Sequence, residues 1–148
     1  MSHTYTSCLY HCVFSTKQRR RFLTKEIRER LWPFMGGIAR ANGFEAIETG
    51  GHDDHSHVLL AVPPKLSLAK SIQLLKGGSS KFVSETFDPL FEWQEGYGSF
   101  TIGQSAMQNT LAYIRGQEEH HRLRSFEEEY VALLEEHGIK YDARYLFG

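Results

Sequence analysis

Residues 44–63 constrain the fold more than any other part of the chain. Phe44, Ala46 and Glu48 alternate with Glu45, Ile47 and Thr49, Gly50-Gly51 reads as a turn, and residues 58–62 form an apolar, β-branched-rich run closed by Pro63 and Pro64. That order predicts an antiparallel hairpin whose second strand is buried. The approach to the buried strand is polar: His52-Asp53-Asp54-His55-Ser56-His57. Side chains alternate along a strand, so His55 and His57 project from one face, with Asp53 two residues behind them. Two imidazoles on one rigid edge make half of a metal site, and one or two further ligands have to come from another element. A solvated strand rim carrying the same residues is the competing reading.

Before the hairpin, residues 5–16 place Cys8, Tyr10, Cys12 and Phe14 against Leu9, His11 and Val13, apolar or aromatic on both faces, as in a central strand. Cys8 and Cys12, the only cysteines, are too few and too close for a disulfide framework and read as small core residues. Thr24 stands at an N-cap position before Ile27, Leu31, Phe34, Met35 and Ile38 at helical spacing. Pro33 should kink that helix or restart it, and Asn42-Gly43 should end it. After the hairpin, Ser67 caps a helix carrying Leu68, Ile72, Leu75, Phe82 and Val83, interrupted at Gly77-Gly78. Residues 93–102 read as a further strand.

The third helix, opening at Ser105, is where a partner for the histidines is expected. Met107, Leu111 and Ile114 mark its buried stripe. At 100° per residue Tyr113 lies roughly 130° from the stripe centre and Gln117 roughly 90° from it on the same side. Phenol and amide are therefore i, i+4 neighbours, and Tyr113 is expected to face solvent or a partner. His120 and His121 extend this edge as candidate ligands, although late-helix histidines also complement the helix dipole. Ser125-Phe126-Glu127-Glu128 is a capping box for a last helix that closes at His137-Gly138, and an aromatic tail follows.

The order β-α-β-β-α-β followed by helices is the ferredoxin-like arrangement: an α+β fold, an antiparallel sheet with helices on one face, plus C-terminal helices. With 148 residues and no linker or repeat, residues 1–148 are expected to form one domain. No apolar run approaches a membrane span and no signal-peptide pattern opens the chain, so a cytoplasmic protein is expected. The net charge of −1 gives no global attraction to nucleic acid. Lys17, Arg19, Arg20 and Arg21 nevertheless cluster, as phosphate contacts would require, or as a solvated loop would.

His55-Ser56-His57 in a strand and Tyr113-Ile114-Arg115-Gly116-Gln117 in a helix together resemble the single-tyrosine HUH transposases of the insertion-sequence 200 and 605 type. Tyr10-His11-Cys12-Val13-Phe14-Ser15-Thr16-Lys17, Trp93-Gln94-Glu95-Gly96-Tyr97-Gly98, Gln117-Glu118-Glu119-His120-His121 and His137-Gly138-Ile139 are similar as well, in the same order. The resemblance implies homodimeric DNA transposases with shared active sites that excise and insert elements as single strands at hairpin-marked ends. It implies His55, His57 and Gln117 as metal ligands and Tyr113 as the nucleophile that forms a 5′-phosphotyrosine. A phenol with a pKa near 10 is a poor nucleophile at neutral pH, and a divalent ion on a non-bridging oxygen stabilises the transition state. Two imidazoles and an amide oxygen suit Mg²⁺ or Mn²⁺, and zinc also binds histidine pairs, so ligand type alone does not fix the metal. Lys17, Arg19, Arg20 and Arg21, with Lys70, Lys76 and Lys81, are the candidate DNA-backbone contacts. The chain departs from the family pattern in having His52-Asp53-Asp54 before the first histidine and Ser56 between the pair, and Asp53 becomes an additional candidate ligand. The alternatives are a domesticated repeat-associated tyrosine transposase, a non-catalytic single-stranded nucleic-acid-binding module and a rolling-circle initiator.

Overall fold

The structure, a computed structural model, describes residues 3–120 and 124–148. Strands β1 (Leu9–Ser15), β2 (Glu45–Gly51), β3 (His55–Ala61) and β4 (Gly98–Ile102) form one antiparallel sheet in the order β2-β3-β1-β4. The two strands with apolar residues on both faces, β1 and β3, therefore take the central places, where both faces are covered. Strand β1 starts at Leu9, later than residue 5, and this leaves Cys8 exposed while Cys12 is buried against Ser99 with Sγ···Oγ 3.4 Å. Of the expected 93–102 strand only its second half pairs with β1; Trp93 instead makes an isolated bridge to Thr16.

One face of the sheet is covered by α1 (Lys25–Ala41) and α2 (Leu68–Thr86). Cys12, Phe14, Val58 and Leu60 meet Leu31, Met35, Ile72, Leu75 and Val83 there in the largest apolar cluster. Thr24 and Ser67 cap the two helices as expected, accepting from the Ile27 and Lys70 amides at 3.3 and 3.0 Å. Helix α1 runs through Pro33 as one element, and Gly43 at φ 82° closes it. Helix α2 likewise runs through Gly77-Gly78 without the expected interruption. A Cβ on Gly78 would lie 2.7 Å from Cδ1 of Ile38, so that glycine serves the close approach of the two helices.

The opposite face receives the C-terminal helices α3 (Met107–Arg115), α4 (Gln117–His120) and α5 (Phe126–Glu136). Leu59 packs with Leu111 and Ile114, and Val13 and Phe100 pack with Phe126, Tyr130 and Leu134. A 3-10 turn over Gln104–Ala106 precedes α3, which has no side-chain cap from Ser105. Ser125 caps α5 as the box predicts, accepting from the Glu128 amide at 3.2 Å. The tail is tied down where Gln94 Nε2 donates to the Leu146 carbonyl at 2.7 Å and the Gln18 amide to that of Phe147 at 2.8 Å.

The hairpin forms, but its turn is not at the glycines. Gly50 and Gly51 belong to β2, opposite His57 and Ser56, and the reversal falls on residues 52–54. A Cβ on Gly50 would lie 2.5 Å from the Ile114 carbonyl oxygen, so this glycine is what lets α3 lie down on the sheet.

Candidate metal and tyrosine site

Alternation along β3 puts His55, His57 and Leu59 on the face that meets α3 and α5, and both imidazoles are fully buried. Each ring is fixed from behind. Asp54 Oδ1 lies 2.8 Å from His55 Nδ1, and His11 Nε2, from β1, lies 2.8 Å from His57 Nδ1. Phe126 stacks on the His55 ring at 4.1 Å between centroids. Burial, with the neighbouring His57 adding to it, depresses the His11 pKa to about 3, so His11 is a neutral partner. With both Nδ1 atoms engaged, both Nε2 atoms point to the same place, between the sheet and the C-terminal helices.

Two side chains meet them there. Gln117 Oε1 lies 2.9 Å from His55 Nε2, and Glu129 Oε1 lies 2.9 Å from His57 Nε2 and 3.7 Å from His55 Nε2. Gln117 Nε2 donates to Glu129 Oε2 at 3.1 Å, and the Tyr113 hydroxyl donates to the same oxygen. Burial first, and then the Glu129 carboxylate, raise the Tyr113 pKa, so the phenol keeps its proton and acts as the donor. The Tyr113 ring stands edge-on to His57 at 5.6 Å and to His11 at 5.8 Å.

The donor chemistry fits a cation. A carboxylate can only accept, so His55 in its neutral form carries its proton on Nδ1 and presents a lone pair at Nε2. The Gln117 oxygen facing it at 2.9 Å is also an acceptor, and two acceptors at that distance require a positive centre between them, a proton or a metal ion. His55, His57 and Glu129 each bring one ligating atom within 4.8 Å of the others. Cis positions of an octahedral Mg²⁺-type site are about 3 Å apart.

The structure thus brings together Tyr113, His55, His57 and Gln117, all four residues expected at the centre. Two particulars differ from expectation. Tyr113 is half-buried and turned toward the chain's own Glu129, because that carboxylate, carried on α5, accepts its hydroxyl. Helix α3 also ends at Gly116, so Gln117 opens α4 and reaches 1% exposure. Asp53 does not join the site: it lies in the turn, 3.2 Å from His52 Nδ1 and 3.7 Å from Arg21 Nε. The His120 side chain and all of His121 lie outside the described residues.

Glu129, Asp54 and His11 were not singled out from the sequence. Glu129 had a signal: it sits three residues after Phe126 and beside Tyr130, an acid on the buried stripe of an otherwise amphipathic helix. A buried charge of that kind requires partners.

The candidate DNA contacts do not converge. Lys17 pairs with Glu92 at 3.5 Å, Arg19 with Glu127 at 3.3 Å, and Arg20 donates to Gln18 Oε1 at 3.3 Å. Arg21 is largely exposed. On α2, Lys70 donates to Gln73 at 3.4 Å, and Lys81 is on an exposed position. Lys76 is turned inward, with Nζ 2.5, 3.1 and 2.9 Å from the carbonyl oxygens of Gln94, Glu95 and Gly96. Its pKa is lowered to about 8, chiefly by burial.

Comparison with known proteins shows the family. A family model described as "Transposase IS200 like" matches residues 4–117. The transposase for insertion sequence element IS200 of Salmonella typhimurium is 32% identical over 112 residues, covering 71% of this chain and 74% of that protein, and its Salmonella typhi counterpart matches equally. Among solved structures, a putative transposase from Deinococcus radiodurans superimposes with TM-score 0.65 at 24% identity, over 79% of this chain and 95% of that one. A REP-associated tyrosine transposase bound to a REP hairpin superimposes with TM-score 0.60 at 14% identity, over 82% and 73% of the two chains. The structures share the fold, and the family match and the Salmonella relatives carry the assignment: the chain belongs to the IS200-like transposase family.

Proposed function

We propose that this transposase cleaves and rejoins single-stranded DNA at hairpin-marked element ends, with Tyr113 as nucleophile and a divalent cation, Mg²⁺ or Mn²⁺, held by His55, His57 and Gln117. The observation that carries the reading is the convergence of both Nε2 atoms, the Gln117 Nε2 amide and the Tyr113 hydroxyl on one buried carboxylate, with Gln117 Oε1 turned to His55 Nε2. A bound cation supplies Lewis-acid stabilisation of the charge that develops on a non-bridging phosphate oxygen. The chain supplies the rest. Asp54 and His11 hold the imidazoles with both Nε2 atoms turned inward. Helix α3 sets the phenol edge-on to His57. In the cleavage step the Tyr113 Oη–P bond forms as the P–O3′ bond breaks; the phenolic proton passes to Glu129 Oε2 and the departing 3′-oxygen takes one from water. The phosphotyrosine conserves the phosphodiester energy, and a 3′-hydroxyl attacking it reverses the balance and rejoins strands.

A homodimer belongs to the proposal through the family resemblance. Tyr113 reaches the histidines of its own chain, so a site shared between copies requires α3 to leave the position it has here. Contacts of Lys17, Arg19, Arg20, Arg21, Lys70 and Lys81 with the DNA backbone are also part of the proposal. Lys76 enters it through the 94–96 loop that it holds.

The test uses labelled hairpin-bearing single strands with Mn²⁺ and a denaturing gel. The wild-type protein is expected to give a covalent adduct, and Tyr113→Phe to give none while still shifting the hairpin in a native gel. An adduct that persists in Tyr113→Phe assigns the nucleophile elsewhere. Hairpin binding with no adduct from the wild type would favour the non-catalytic binding module.

A further inference from the structure

Glu129 lies twelve residues beyond Gln117, where the family match ends, yet its carboxylate is 1% exposed at the centre of the site. Its two oxygens face different partners. Oε1 is directed at the imidazoles, 2.9 Å from His57 Nε2 and 3.7 Å from His55 Nε2. Oε2 takes the Tyr113 hydroxyl and the Gln117 amide at 3.1 Å. The backbone fixes this orientation: Phe126, Tyr130 and Leu134 pin the same side of α5 to Val13 and Phe100 of the sheet. A Cβ on Gly98 would lie 2.7 Å from Tyr130 Cε1, so α5 sits as close to β4 as a glycine allows.

We propose that Glu129 couples cation occupancy to the placement of the nucleophile: Oε1 is an acidic ligand of the cation and Oε2 holds the Tyr113 hydroxyl. This rests on the cation reading above. The coupling follows from one carboxylate serving two acceptors of its charge. A phenol donating to Oε2 draws charge away from Oε1, and a cation on Oε1 weakens the hold on the phenol, so each partner changes the affinity of the other by the same factor. It also gives the tyrosine a reason to be tethered in the absence of DNA and loosened once the metal is in place.

The test is calorimetry with Mn²⁺ alone, without DNA, in a double-mutant cycle. Wild-type protein is expected to bind Mn²⁺ and His57→Ala to lose it. Glu129→Gln should weaken binding at least tenfold, the range over which groups that support a metal site act. Tyr113→Phe should tighten binding about fivefold or more in the wild-type background and leave it unchanged in the Glu129→Gln background. Should Glu129→Gln fail to give a cooperative thermal transition, Glu129→Asp replaces it in the cycle; its retained charge on a shorter arm is expected to lower affinity and abolish the Tyr113→Phe effect. Equal Mn²⁺ affinity in wild type and both Glu129 variants overturns the coupling and leaves the cation reading standing, as does a Tyr113→Phe effect that is absent or identical in both backgrounds. Wild-type protein with no Mn²⁺ binding sensitive to His57→Ala fails the cation reading itself.

Discussion

Gly50→Ala adds one methyl group, and the structure says what it strikes. Gly50 stands opposite His57 on the face that meets α3, and its Cβ would lie 2.5 Å from the Ile114 carbonyl oxygen and 2.9 Å from Ile114 Cγ2. The nearer atom is backbone, so a rotamer change cannot relieve the clash. Ordinary contact begins near 3.4 Å, so the end of α3 must withdraw by about 0.9 Å. Overpacking of this kind costs about 1–3 kcal/mol. For a domain of this size that lowers Tm by roughly 3–9 °C. The functional effect should exceed the stability effect, because Ile114 follows Tyr113 directly and Gln117 opens the next helix. Productive placement is lost on movements of this size, so adduct formation is expected to fall by about a hundredfold in protein that is still folded. Gly77→Ala is the control. It adds the same methyl to the interior of α2, where no atom of the described residues beyond the helix's own adjoining backbone lies within 4 Å, and should stabilise by about 0.5–1 kcal/mol through the lost flexibility of the unfolded chain. Thermal unfolding followed by circular dichroism, with the adduct assay at a temperature where both variants are folded, reads both quantities. Equal Tm and equal adduct yield for Gly50→Ala and wild type would refute the claim that this glycine seats the tyrosine helix.

Two further predictions concern other parts of the molecule. The Lys76 ammonium has its pKa lowered from 10.5 to about 8, so between those values the unfolded chain binds more protons than the folded one and stability rises with pH. Lys76→Met should flatten that rise relative to wild type in urea unfolding across this window; identical slopes would show that Lys76 titrates normally. Tyr113→Phe mixed with His57→Ala protein tests the sharing of sites between copies. A site completed only within one chain gives no adduct from the mixture, and recovered adduct shows that α3 reaches the neighbouring copy.

Local patterns were legible where local chemistry decides them. Thr24, Ser67 and Ser125 cap the helices they precede, because each hydroxyl satisfies an amide three residues on. The histidine strand and the Tyr113–Gln117 pair could be read because a period of two and a period of 3.6 fix which side chains share a face. Long-range packing was not legible. Gly50-Gly51 and Gly77-Gly78 look like breaks, but Gly50 and Gly78 are contact points, where Ile114 and Ile38 press against bare backbone. Tyr113 reads as an outward residue from the α3 stripe alone, since nothing within that helix reveals that Glu129 of α5 accepts its hydroxyl. Glu129 is hidden in an acidic run, and its place on the Phe126–Tyr130 stripe is the one sequence sign that separates it from exposed Glu127 and Glu128.

The central claim is that the two imidazoles and Tyr113 serve one phosphate. A crystal structure of the Tyr113→Phe protein with Mn²⁺ and an uncleaved hairpin-bearing strand tests it most directly, by anomalous scattering at the manganese edge. The account predicts a manganese peak bound by His55 Nε2 and His57 Nε2, with the scissile phosphate on that ion and the ring at position 113 alongside it. A peak held by other residues, or a strand lying on the opposite face against α1 and α2, would contradict it.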